Sequence, residues 1–306
     1  MNVTVFRETR AILGESLVWD ATGGGAMLWC DITAGLIHRS PLAAPADGSG
    51  DTVIALPAPV GSFHPCDLGG FIVSLGDRVV VVDAAGSITR EVARIPHSRE
   101  GLRLNEGKVD PAGRWVTGSM NLFDETPVGA FYAITGDGTV TVLEGGIGVA
   151  NGLEWSADGA RIWFTDTAAG TIYTGSYLHS TLRGHDAVGG RAEVRDVVAW
   201  HRGTMNDGLV LATDGTLWSS IYGGGVVEQY GPRGELLQRI ALPAPNLTSG
   251  AFGGPDLGTL YVTSARENLS EEQLVDFPLS GSVFAIETGC RGFPPRPWRS
   301  GLGSTG

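Results

Sequence analysis

The chain has 306 residues, 42% hydrophobic and 18% charged, ample for a sizeable folded core. A formal net charge of −12 argues against a nucleic-acid partner and an anionic membrane surface, and no apolar run approaches the ~20 residues of a membrane span. The three cysteines, Cys30, Cys66 and Cys290, form no C-x-x-C pair, which argues against a disulfide framework and suits a reducing cytosol.

Met1 to Arg10 lacks an apolar signal core, so a cytoplasmic location is expected. The sequons at Asn2, Asn246 and Asn268 would then carry no glycan. Glycine is abundant, at 47 residues, and helix-period patterns are scarce. Short runs rich in β-branched and aromatic residues follow one another: Ala26 to Cys30, Phe71 to Leu75, Val79 to Asp83, Arg161 to Thr165, Thr216 to Ser220 and Thr259 to Thr263. Each is bounded by Gly, Asp or Pro, the signature of strands in hairpins.

The turns recur. Asp20 to Gly24, Leu68 to Gly70, Pro111 to Gly113, Ala157 to Gly159, Thr213 to Gly215 and Asp256 to Gly258 each separate two apolar runs. Asp-Gly and similar pairs supply the positive φ of tight hairpins. They recur roughly every 43 to 56 residues, near the ~40–50 of a four-stranded propeller blade. Second hairpins are read at Asp83 to Gly86, Gly136 to Gly138 and Gly231 to Gly234. Two hairpins per unit and six units predict an all-β, six-bladed propeller with four-stranded antiparallel blades. It is read as a single domain over 1–306, with an irregular tail from about 294 and frayed last residues. A sandwich also accommodates short strands but does not explain the repeat length.

Within the longest interval, Leu178 to Ala187 (with His179, Arg183, His185 and Asp186) reads as part of an extended loop of the fourth unit, spanning about 174–205. In Asn268 to Val275, Ser270 stands as a cap before acidic residues and predicts one or two helical turns. The tryptophans, Trp19, Trp29, Trp115, Trp155, Trp163 and Trp218 among them, sit at strand positions and read as core between blades. The histidines show no H-x-x-x-H spacing, so a zincin is not supported; His64 is a candidate pocket wall, and His201 lies near Asp207 in sequence. No Gly-x-Ser-x-Gly elbow occurs, which weakens a serine-hydrolase reading.

Five acidic or amide residues stand in local signatures: Glu15 in Leu-Gly-Glu-Ser-Leu-Val-Trp-Asp, Asn105 in Arg-Leu-Asn-Glu-Gly-Lys-Val-Asp, Asn151 in Asn-Gly-Leu-Glu-Trp-Ser, Asp207 in Asn-Asp-Gly-Leu, and Asp256 in Gly-Gly-Pro-Asp-Leu. Glu15, Asn105, Asn151 and Asp207 lie at or just before the start of a unit, which assigns them to one end of a propeller. Such oxygen donors suit a hard divalent cation.

Together these motifs resemble the gluconolactonase/regucalcin (senescence marker protein) family of sugar lactonases, over about Glu8 to Gly292. The resemblance implies a six-bladed propeller with a divalent metal on its axis, held by Glu15, Asn151 and Asp207. It implies Arg103 and Asn105 as sugar-lactone binders. Three positions depart from the family pattern. Glu106 replaces the usual Asp after the first Asn, and Ser16-Leu17 replaces a common Gly-Pro. Phe123 stands where some members have an acidic substrate-binding residue, so either Asn121 or Asp124 takes that role or the contact is missing.

The implied reaction is hydrolysis of an aldonolactone to the aldonic acid. The cation, one of Ca, Zn, Mn, Mg or Fe, serves as Lewis acid, and Asp207 as general base, with Glu15 as the alternative base. The expected partner is a small sugar lactone, and the expected state a monomer or homodimer. Two alternatives remain open: another propeller esterase or phosphotriesterase, and a non-catalytic calcium-binding propeller.

Overall fold

The computed structural model describes residues 1–124, 126–179 and 192–301. Strand β1 (Val3–Arg7) opens the chain. The first complete blade is β2 (Gly14–Asp20), β3 (Ala26–Asp31), β4 (Leu36–Pro41) and β5 (Thr52–Ala55). The second is β6 (Val60–Pro65), β7 (Phe71–Leu75), β8 (Arg78–Val82) and β9 (Ile88–Arg94). The third is β10 (Leu102–Val109), β11 (Trp115–Asn121), β12 (Gly129–Ile134) and β13 (Val140–Ile147). The fourth is β14 (Ala150–Trp155), β15 (Arg161–Asp166), β16 (Thr171–His179) and β17 (Ala192–Arg202). The fifth is β18 (Asn206–Leu211), β19 (Leu217–Ile221), β20 (Val226–Tyr230) and β21 (Leu236–Ala241). The sixth contains β22 (Leu247–Gly253), β23 (Thr259–Ser264) and, after the short helix α1 (Glu271–Asp276), β24 (Val283–Glu287). Six four-stranded antiparallel sheets make this the predicted six-bladed β-propeller.

All six Asp/Gly turns named from the sequence join the first and second strands of a blade. In five of them an aspartate accepts the backbone N–H two residues on. Asp110 Oδ1 takes Ala112 N (2.9 Å), Asp158 Oδ1 takes Ala160 N (3.0 Å) and Asp214 Oδ1 takes Thr216 N (3.0 Å). The three second hairpins also lie between strands, at β8–β9, β12–β13 and β20–β21. The Ser270 cap is present as a full capping box with Gln273.

Three features differ from expectation or extend it. The sixth blade takes its edge strand from the other end of the chain: β1 pairs antiparallel with β24, Thr4 opposite Ala285. Much of the stretch expected as a loop over 174–205 is strand, because β16 and β17 continue through it. Arg183, His185 and Asp186 lie outside the described residues, as do 302–306. The tail from Pro294 is irregular yet anchored: Trp298 is fully buried, its N–H donates to Pro65 O (3.0 Å) and its carbonyl accepts from Asp67 N (2.9 Å).

The chain divides into two compact units, residues 1–60 with 200–295, and residues 61–199 with the tail from 296. In the first, Trp218, Phe252, Leu260 and Phe284 form one core and Trp19, Met27, Trp29 and Tyr261 another. In the second, Ile72, Leu104, Trp115 and Trp298 pack together, and Phe131, Trp155, Phe164 and Tyr177 form a further cluster. The tryptophans named from the sequence are thus buried in cores. First strands of neighbouring blades lie against one another: β22 touches β2 and β18 in the first unit, and β10 touches β14 in the second. All three cysteines are free thiols. Among the described residues no helix is long and apolar enough to cross a membrane.

Two predictions follow from this packing. Trp298→Ala empties a fully buried site and should lower unfolding free energy by about 3–5 kcal/mol, read from urea denaturation of the whole chain. A change below about 1 kcal/mol would mean that the tail is dispensable. His64 is buried on β6, its Nδ1 donating to Pro65 O (3.4 Å). Burial chiefly, with the Lys108 charge adding to it, lowers its imidazolium pKa to about 4. The unfolded chain therefore binds a proton that the folded chain refuses between about pH 6.5 and 4, and stability falls as pH falls through that window. The contribution is of order 3 kcal/mol. His64→Gln should flatten the pH dependence of stability there, and an unchanged slope would refute the assignment.

Candidate active site

Five pairings between the first and second strands of a blade share one irregularity. The register slips between Glu15 and Val18, Leu104 and Gly107, Asn151 and Leu153, Asn206 and Leu209, and Leu247 and Gly250. Each is a β-bulge, in which an extra residue bends the strand and re-aims its side chains. Glu15, Asn105, Asn151 and Asp207 all sit at or within one.

The local sequence explains why the bulges form. Ser16 adopts φ +56° after Glu15, and Gly152 adopts φ +32° after Asn151. Glycine takes that region without the Cβ clash. Gly208 follows Asp207 where a Cβ would stand 2.9 Å from Thr248 O, so only glycine lets β18 approach β22 so closely.

In the first unit, Glu15 and Asp207 are both buried, at 9% and 4% exposure. Glu15 Oε2 accepts from Ser16 N (3.0 Å). The residues leading into Glu15 are pinned by Asp31, whose carboxylate accepts from Ile12 N (2.8 Å) and Leu13 N (3.2 Å). Asp207 follows Asn206, whose amide donates to Ser219 Oγ (3.0 Å) and Tyr230 Oη (3.1 Å). The Tyr222 hydroxyl donates to Glu267 O (3.2 Å) and accepts from Asn268 Nδ2 (2.9 Å). Burial pushes its phenol up to about 12, the Asn268 hydrogen bond opposes this, and the charges of Glu267, Asp207 and Glu15 reinforce it.

In the second unit, Arg103, Asn105 and Asn151 form a continuous relay. Arg103 Nη1 donates to Asn105 Oδ1 (2.6 Å) and to Leu104 O (3.0 Å). Asn105 Nδ2 donates to Asn151 Oδ1 (2.9 Å) and Ala150 O (2.9 Å), and Asn151 Nδ2 donates to Thr167 Oγ1 (2.9 Å). Asp166 plays the part here that Asp31 plays before Glu15: it accepts from Gly148 N (3.0 Å) and Val149 N (3.0 Å), the amides leading into Asn151. Asp31 and Asp166 were missed in the sequence. Their signal was present, since each is the last residue of a second strand ahead of a Thr-containing turn.

The other named residues fall as follows. Asn121 is buried at the end of β11, opposite Leu102; its Oδ1 accepts from Phe123 N (3.1 Å) and its Nδ2 donates to Asp124 Oδ1 (2.5 Å). Asp124 is exposed and pairs with Arg99 (3.0 Å), while Phe123 is 75% exposed. Asp256 does not join the others. It lies in the β22–β23 turn, at the far end of β22 from its bulge, and pairs with Arg291 (3.1 Å). Its Pro-Asp-Leu-Gly context was a hairpin turn rather than an entry to a first strand. Glu106 Oε1 accepts from Gly107 N (2.7 Å), and the Lys108–Glu154 ion pair (2.8 Å) bears on its charge. Its carboxyl pKa is raised, by burial first and by Glu154 as well, against the pull of Lys108. His201 packs against the Tyr230 ring at 4.3 Å.

Among the described residues, no group of three or more His, Cys, Asp or Glu side chains has metal-binding spacing. A donor set of two carboxylates and one amide oxygen is outside that description. Such a set is all-oxygen and fits a hard divalent cation. Burial disfavours the charged form of Glu15 and of Asp207, and a cation would offset that cost.

The SMP-30/Gluconolactonase/LRE-like region model matches residues 13–266. The chain is 36% identical to a 6-deoxy-6-sulfogluconolactonase of Pseudomonas putida, over 92% of this chain and 93% of that protein. It is 35% identical to a pentonolactonase of Haloferax volcanii, over 96% and 97% of the two chains. The structure superimposes on a calcium-binding regucalcin from Agrobacterium tumefaciens with a TM-score of 0.81, at 28% identity and 96% coverage of each chain. Fold, bulge-borne motifs and relatives agree: the chain belongs to the SMP-30/gluconolactonase family.

Proposed function

We propose that this protein is a sugar lactonase, a hydrolase that opens an aldonolactone to its aldonic acid. The observation that carries the reading is the buried Arg103–Asn105–Asn151 relay, set in a family whose relatives include two sugar lactonases. A relay of fixed N–H donors suits a polyhydroxylated substrate better than an apolar ester. Arginine presents a planar fork of five N–H donors. Here Nη1 donates to both Asn105 Oδ1 and Leu104 O, which fixes the plane of the guanidinium.

Glu15, Asn151 and Asp207 are the proposed ligands of one divalent cation, by their place in the family motifs and their oxygen chemistry. When bound, the cation supplies Lewis acidity at the lactone carbonyl. Asp207 then acts as general base. The oxygen of water bonds to the carbonyl carbon as its proton passes to the Asp207 carboxylate. The ring C–O bond breaks, and the departing alkoxide takes that proton back. Asn105 holds Asn151 in orientation through Nδ2, leaving the second lone pair of the Asn151 oxygen for the cation. Asn121, anchored at the end of β11, is the better placed of the two substitutes for the family's acidic contact, since Asp124 is engaged by Arg99 at the surface.

Proton release in weak buffer near neutral pH, with a panel of aldonolactones and metals returned singly to chelated protein, tests the reading. Asp207→Ala should cut kcat by about 10²–10⁴-fold, the usual span for a general base. Arg103→Lys keeps the charge but loses the fork, and should lower kcat/KM by about 10-fold or more. Turnover at the spontaneous rate with every lactone, despite cation binding, would move the assignment to another ester or to a binding protein.

A further inference from the structure

The segment Ala265 to Asn268, between β23 and α1, is held from two sides. On one side Arg266 N and Glu267 N donate to Ile12 O (3.0 and 2.8 Å), and Leu13 bridges antiparallel to Ala265. These partners lead directly into Glu15. On the other side Asn268 Nδ2 donates to Tyr222 Oη (2.9 Å), and Tyr222 Oη donates to Glu267 O (3.2 Å). Tyr222 follows Ile221, the register partner of Asn206, and its N–H donates to Met205 O (3.0 Å). Tyr222 is therefore fastened to the strand that carries Asp207.

Further bonds stiffen the segment. Asn246 Nδ2 donates to Glu267 O (2.8 Å), and Thr33 Oγ1 donates to Glu267 Oε1 (3.1 Å). Asn268 holds φ +63°, a left-handed conformation that asparagine tolerates better than most residues. That backbone turn carries the amide whose Nδ2 meets the phenol. The segment is a strap running from the entry to Glu15 to the neighbour of Asp207, and the Tyr222 hydroxyl closes it by accepting one hydrogen bond and donating another.

We propose that Tyr222 and Asn268 are positioning residues that set the spacing of the Glu15 and Asp207 carboxylates for a divalent cation. This rests on the proposed role of those two acids as cation ligands. Neither residue needs to touch substrate. Outer groups of this kind govern how well ligands are preorganised, and their loss typically costs about 10–100-fold in metal affinity.

The test is calcium titration calorimetry, with a parallel manganese titration, on chelated full-length protein. Wild type, Tyr222→Phe, Asn268→Gly and the double variant are compared, with kcat and KM for the best lactone measured alongside. Asn268 is exposed, and glycine keeps the positive φ, so Asn268→Gly tests the strap without threatening the fold. Each single variant should raise the cation Kd about tenfold. The double variant should raise it little further, because both remove the same bridge. Saturating metal should restore kcat, with the lactone KM within about twofold of wild type. Cation Kd values within about twofold of wild type in both single variants would overturn the proposal, as would a change in lactone KM alone. If wild type binds the cation but turns over no lactone, the lactonase reading fails while the Kd comparison still decides the strap. Absence of cation binding in wild type overturns both.

Discussion

The β-bulge at the head of a blade's first strand is the constraint on which the candidate site depends. A regular strand alternates its side chains between faces, so a polar residue beside apolar neighbours would be turned by the pleat alone. An extra residue breaks that alternation locally and lets a carboxylate or amide leave the ladder while the strand beyond it returns to register. Glu15, Asn105, Asn151 and Asp207 all use this device. Its conformational cost is met by Gly152, by Gly208 where backbones approach closely, and by Ser16 in a left-handed turn.

A bulge re-aims a side chain but does not hold it. The holding is done by acceptors placed one strand away. Asp31 and Asp166, each closing a second strand, gather the two amides that lead into Glu15 and Asn151. A carboxylate that accepts two N–H groups satisfies backbone donors just ahead of the strand, and such charge-assisted bonds are about twice as strong as neutral ones. The Arg103–Asn105–Asn151 relay continues the same logic sideways, from β10 to β14. The strap at Ala265 to Asn268 applies it between the surroundings of Glu15 and Asp207.

Much of this was legible in the chain. Six Asp/Gly turns, each between apolar runs, marked the hairpins because a side-chain carboxylate mimics a backbone turn in a way that depends only on local spacing. The Ser270 cap was readable for the same reason. Glu15, Asn105, Asn151 and Asp207 stood out because each lies at or just before the start of a repeated unit, within a motif that the family shares. Asp256 shared the Gly-rich surroundings of the other four, but its Asp-Leu-Gly sequence marked the hairpin turn in which the structure places it. The stretch beyond Ile172 was read as a loop because its polar residues hid the period-two pattern of β16 and β17, which lie at the outer side of their blade.

The sequence by itself determined the strand content, the hairpins, the repeat and the residue types able to bind a cation and a polyol, because all of these arise from interactions within a few positions. Tertiary structure decided the rest. It paired β1 with β24 across nearly the whole chain and buried Trp298 beneath an irregular tail. It turned Asp31 and Asp166 into anchors and sent Asp124 to Arg99 at the surface, and it bound Tyr222 to Glu267 and Asn268. These depend on which strands become neighbours once apolar faces are buried, and no local spacing encodes that choice.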